Sequence, residues 1–218
     1  AMPATINAND ILLAVGESEN QAISLSTPNG FVEVTNSPQS AGTAGVNPAN
    51  RIAVFWKRAV GGDSAPVFAD SGDHTTCQVH RFSGVKTSGD PWNITSGGND
   101  GGANDTSAVI PGTTTTAADV LVVLVQGTSF NGTSSVQCGA ATNADLATIT
   151  ERTDNTHTQG LGGGHCLITG EKATSGAYGD TTLTLANTSF KGTMSIGLEG
   201  GAAAAGQAFI EDDDEDDE

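Results

Sequence analysis

The chain has 218 residues, of which 15% are charged and 5% aromatic, and its formal charge is −17. Its eight Lys and Arg are spread thinly, which excludes nucleic acid as a partner, because binding needs clustered cations to displace counterions. The acidic balance also disfavours anionic membranes, and apolar runs recurring between turn residues exclude a disordered body.

The first ten residues, AMPATINAND, lack the basic segment and apolar core of a signal peptide, and no run approaches a membrane span. Synthesis in a cytoplasm is the expectation. Asp10–Val15 (DILLAV) reads as a strand buried on both faces. Ser26–Gly30 (STPNG) is a turn, Phe31–Val34 a second strand, and Asn36–Asn50 a long surface loop. Arg51–Ala59 is the third strand, with Ile52, Val54 and Trp56 on one face. Pro66–Ala69 is a short strand or edge, and Thr75–Phe82 is the fifth strand.

Residues 86–117 read as a Gly/Thr/Asn-rich loop region in which only Ser107–Ile110 looks like a strand. The order then repeats. Asp119–Val125 corresponds to Asp10–Gly16, and Leu146–Thr150 to Phe31–Thr35. His165–Lys172, Thr181–Leu185 and Met194–Leu198 complete the second set. In this alignment Cys166, Ile168 and Gly170 fall at the places of Ile52, Val54 and Trp56, so Trp56 is expected to fill space that Gly170 leaves. Each half alone offers one apolar face. The expectation is an all-β fold: a single jelly-roll-like sandwich of about ten strands over 1–199, from halves at about 10–85 and 118–199.

Residues 200–218 form a linker and an acidic tail. Removing the eight acidic residues Glu211–Glu218 leaves the body at −9. A block of like charge is ordinarily solvated. Here a small apolar plug precedes it. Phe209 and Ile210 with Glu211, Asp212, Asp213, Asp214, Glu215, Asp216, Asp217 and Glu218 are the candidate tether to a partner.

Few constellations suggest chemistry. Gly62-Asp63-Ser64 has the residue types of a serine hydrolase, with His74 and His80 as bases, but turn chemistry explains it better and no oxyanion loop accompanies it. His74, Cys77 and His80 are metal-ligand types, yet in a strand 77 points away from 74 and 80, whose ends lie about 20 Å apart. No metal, cofactor or catalytic residue is expected. Trp92, Asn99, Asp100, Asn104 and Asp105 form the one loop that could hold calcium or stack on a sugar. Cys77, Cys138 and Cys166 are an odd count without close spacing, read as apolar fillers, with one bridge open to them in an oxidising medium.

The segments FWKRAVGGDSAPVFADSGDHTTCQVHRFSGV, GDPWN, IPGTTTTAADVLVVL, LATITERTDN and GGGHCLITGEKATSGAYGDTTLTLA resemble, in that order, a broad group of tailed-bacteriophage virion structural proteins. The resemblance covers roughly residues 10–199 and carries no catalytic signature; the acidic end lies outside it. It implies a non-enzymatic β-sandwich on the virion surface, a head decoration or an appendage subunit. Its partners would be other capsid or tail proteins and copies of itself. The alternative is a receptor- or glycan-binding domain of a fibre or spike, using the loops around Trp92 on a host surface glycan.

Overall fold

The protein is described by a computed structural model over residues 1–100, 104–129 and 138–201. Among these residues there are seventeen strands and no α-helix, and every strand pairing is antiparallel. In chain order they are β1 (Ile11–Ser18), β2 (Leu25–Thr27), β3 (Val32–Glu33), β4 (Gln39–Ala41), β5 (Asn50–Arg58), β6 (Val67–Phe68), β7 (Thr76–Phe82), β8 (Trp92–Gly98) and β9 (Asp105–Ile110). There follow β10 (Thr113–Thr115), β11 (Val120–Thr128), β12 (Ala141–Thr142), β13 (Ala147–His157), β14 (Gly163–Lys172), β15 (Gly176–Tyr178), β16 (Thr181–Ser189) and β17 (Lys191–Glu199). The strands exceed the expected ten chiefly because the linking loops carry two- and three-residue pairings.

Two five-stranded sheets hold the centre. One has the order β3-β5-β1-β7, with β4 also on β5; the other has the order β13-β14-β11-β17-β8. The apolar runs of β1 and β11 are their central strands, and both are buried throughout. The reason is that each sheet is covered on both faces. Ile11, Leu13, Val15, Ile52, Val54 and Phe82 of the first sheet share one cluster with Leu121, Val123, Val125, Leu167, Met194 and Leu198 of the second. On its outer face the first sheet packs Leu12, Ala14 and Phe55 under Phe31 and Phe68. On its outer face the second packs Val122, Leu124 and Ile168 under Ala108, Ile110 and Leu183 of β9 and β16. Burying a Leu or Ile side chain in such layers is worth about 2 kcal/mol each.

Three expectations change. First, Trp92–Gly98 is not loop: β8 pairs with β17 and completes the second sheet. Its Trp92 ring meets Trp56 edge-on, with centroids 5.1 Å apart. Second, the match between the halves slips by one residue. Leu167, not Cys166 or Ile168, faces the cluster that holds Ile52 and Val54. Because strand side chains alternate with period two, a one-residue slip exchanges faces. Gly170 therefore lies on the outer face against Leu146, and Trp56 fills no space there. Third, two cysteines are not simple fillers: Cys138 and Cys166 form a disulfide with Cα atoms 5.3 Å apart, and Cys77 is free.

Candidate functional site

The layer between the two large sheets changes character along its length. At one end it is closed by Phe82, Leu198 and the Trp56–Trp92 pair. At the other, strand alternation puts Glu17 on the same face as Ile11, Leu13 and Val15, and Asn50 on the same face as Ile52 and Val54. Both polar side chains are buried. The facing strands supply Gly127 and Gly192; a Cβ at Gly127 would strike Ile52 and Asn50, and one at Gly192 the Gln39 carbonyl. The sheets thus approach closely around a buried carboxylate.

Glu17 Oε1 has two neighbours, the His74 imidazole, whose Nε2 lies 3.4 Å away, and Asn50. Asn50 Nδ2 donates to that oxygen at 2.8 Å, and Asn50 Oδ1 accepts from Gly192 N at 3.1 Å. The other oxygen, Oε2, is buried without a hydrogen-bond partner. Facing it are His74 Nε2 at 3.3 Å and His157 Nε2 at 3.5 Å. Those contacts are longer than the 2.7–2.9 Å usual for a charge-assisted hydrogen bond, and His157 Nε2 is likewise without a partner. The two imidazoles lie 4.5 Å apart between centroids. One ligand atom from each of Glu17, His74 and His157 falls within 4.8 Å of the other two.

Further contacts orient these groups. His74 Nδ1 lies 2.7 Å from Asp73 Oδ2, which also accepts the Leu161 N–H at 2.7 Å. Gly160 allows that approach, since its φ is +56° and a Cβ there would collide with the Asp73 carboxylate. Nearby, Glu19 accepts from Ala49 N at 3.1 Å and from the Ser129 hydroxyl. The electrostatics follow. Burial disfavours the His74 cation, but Glu17 and Asp73 outweigh it and raise the pKa to about 9. Burial opposes ionisation of Asp73 too, and the Leu161 N–H with His74 reverses it, so Asp73 stays below the usual carboxylate range. Glu19 goes the other way: burial exceeds its Ala49 bond and pushes it to about 7.

The remaining histidines, His80 and His165, meet in the apolar part of the layer with centroids 6.3 Å apart. Burial lowers them to about 4 and about 3, and His165 is lowered further by its histidine neighbours.

The residues singled out in the sequence are dispersed. Trp92 is half-buried against the inter-sheet cluster. Asn99 and Asn104 are exposed. Asp100 and Asp105 flank the buried Lys191 ammonium at 3.0 and 2.7 Å. Asp63 closes a turn by accepting from Val60 N and Gly61 N and pairs with Lys57 at 2.5 Å, while Ser64 is exposed. His74, Cys77 and His80 do not converge; His74 instead meets Glu17 and His157, far away in sequence. The tether residues Phe209–Glu218 lie outside the described residues. No protein family, curated protein or solved structure matches the chain.

Proposed function

We propose that the chain is a non-enzymatic bacteriophage virion structural protein, a head decoration or appendage subunit made in the host cytoplasm and displayed on the virion surface. Its body is a jelly-roll-like sandwich of two similar halves. It docks on capsid or tail proteins, and on copies of itself, by surface complementarity. Many copies each add a small interface energy.

The observation that carries the reading is where the resembling motifs fall. Trp56-Lys57-Arg58-Ala59 ends β5, and Gly72-Asp73-His74 is the turn into β7. Gly89-Asp90-Pro91-Trp92 leads into β8, and Glu151-Arg152 lies in β13 beside β14. Three of these four motifs mark strand ends or turns of a scaffold, as a packing signature does, and Glu151-Arg152 lies within β13. The order β3-β5-β1-β7 in one sheet and β13-β14-β11-β17 in the other supports duplication. Trp92 is half-buried edge-on against Trp56, which leaves less of its ring for a glycan.

Locating the chain in reconstructed particles, with its copy number, tests the role. Symmetric occupancy of a surface position is expected, and absence from purified particles overturns it. Deleting residues 208–218 tests the tether: reduced incorporation is expected, and unchanged stoichiometry removes the tail from docking.

A further inference from the structure

We propose that Glu17, His74 and His157 bind one divalent late first-row metal ion, zinc foremost, and that this ion staples the two large sheets at the polar end of the layer between them.

The donor set is two imidazole nitrogens and one carboxylate oxygen, which suits zinc and its neighbours and not a hard, oxygen-seeking ion such as calcium. The spacing fits as well. Zinc bonds of about 2.0–2.1 Å in a tetrahedron place ligand atoms about 3.3–3.5 Å apart. Glu17 Oε2 lies 3.3 Å from His74 Nε2 and 3.5 Å from His157 Nε2. The third edge is within 4.8 Å, and His157 can close it, because it ends the edge strand β13 and is the most exposed of the three.

An independent observation points to a ligand. Glu17 Oε2 and His157 Nε2 are buried, lack hydrogen bonds and aim into the same space. Their contacts to His74 and to each other are long, and an ion shared between them would satisfy both. The surrounding contacts have the form that metal sites use. Asp73 accepts from His74 Nδ1, so that when the ion displaces the Nε2 proton to solvent the Nε2 lone pair faces it, and Asn50 donates to the other Glu17 oxygen. Glu19 is committed to Ala49 and Ser129, so water completes the coordination from the His157 side. Glu17 and His74 belong to the first sheet and its β6–β7 connection, and His157 to the second. The ion therefore joins elements that are distant in sequence.

The full-length protein is stripped with chelator, dialysed and titrated with zinc, then with cobalt as a spectroscopic probe. Expected results are one zinc per chain, a thermal midpoint raised by zinc, and intense visible cobalt bands of a low-coordinate nitrogen–oxygen site. His157→Ala should abolish all three, and Asp73→Asn should weaken zinc about 10–100-fold. Circular dichroism of each variant checks folding, and the wild-type stoichiometry and spectrum stand without any variant. Folded wild-type protein that binds no zinc overturns the site. So does a weak, six-coordinate cobalt spectrum that His157→Ala retains, which would place the ion on the acidic terminus.

Discussion

The four histidines of the chain form two pairs, and each pair takes one histidine from either half of the sequence. His74–His157 sits among Glu17 and Asp73, and His74 is raised to about 9. His80–His165, further along the same layer, has no acid to oppose burial and is lowered to about 4 and about 3. The same residue type, in the same layer, is held charged at one place and neutral at the other. What differs is a carboxylate at an inward position of β1. The comparison teaches that this interface has a dry part that resists protonation and a polar part where carboxylates hold His74 charged.

His74 and the His80–His165 pair give stability opposite pH signatures. Unfolded histidine titrates near 6.5. His80 and His165 lie below that when folded, so their contribution is full above about 6.5 and is lost as pH falls through about 4 for His80 and about 3 for His165. The largest expected effect is here: roughly 4 kcal/mol lost between those limits, discounted for coupling between the two. Denaturant unfolding across pH should show it. A His80→Leu/His165→Leu double variant should flatten that limb relative to wild type, and an unchanged difference would deny the dry pair its role.

Next in size is the disulfide. Cys166 follows His165 on β14 and faces the outer layer, so the bridge to Cys138 braces the strand that carries the dry pair. For partners 28 residues apart, its loss should cost about 3 kcal/mol. Thiol counting before and after reduction should rise from one to three, with a matching fall in thermal midpoint. Three thiols in the unreduced protein would contradict the bridge.

The polar pair is expected to matter less in metal-free protein. His74 lies above 6.5 when folded, so its contribution is present below about 6.5 and lost as pH rises through about 9. About 2 kcal/mol is expected over that window, since part of the cluster is solvent-screened. Glu17→Gln should remove most of this slope and move the His74 resonance titration toward 6.5 in NMR spectra of chelator-treated protein. The smallest effect is at the apolar end. Trp56→Phe should keep most of the burial but weaken the edge-to-face contact, costing about 1 kcal/mol in denaturant unfolding.

Much of this fold was legible in the sequence. DILLAV and DVLVVLV are unbroken apolar runs, and both became central strands because both sheet faces are covered. β8 was not legible, since WNITSGG has little apolar content and earns its place through pairing with β17 at the sheet edge. The one-residue slip between the halves arose because apolar runs buried on both faces carry no alternation to fix parity. The site was hidden by distance: Glu17 is 57 residues from His74, and His157 comes from the other half. One signal was present. In ILLAVGES the glutamate falls on the same parity as Ile11, Leu13 and Val15, and a carboxylate at an inward position asks for a partner.

The end of β17 is fastened to the chain that follows β7. Val85 bridges Gly200, Gly201 N donates to Gly84 O at 2.8 Å, and Lys86 pairs with Glu199 at 2.5 Å. β17 itself is flanked by β11 and β8. A force applied through the residues beyond Gly201 therefore enters the body at a clamped strand with neighbours on both sides. Pulled along its axis, that strand must break its cross-strand hydrogen bonds together rather than one after another. A load of that direction would meet a strand held on both sides rather than a free edge.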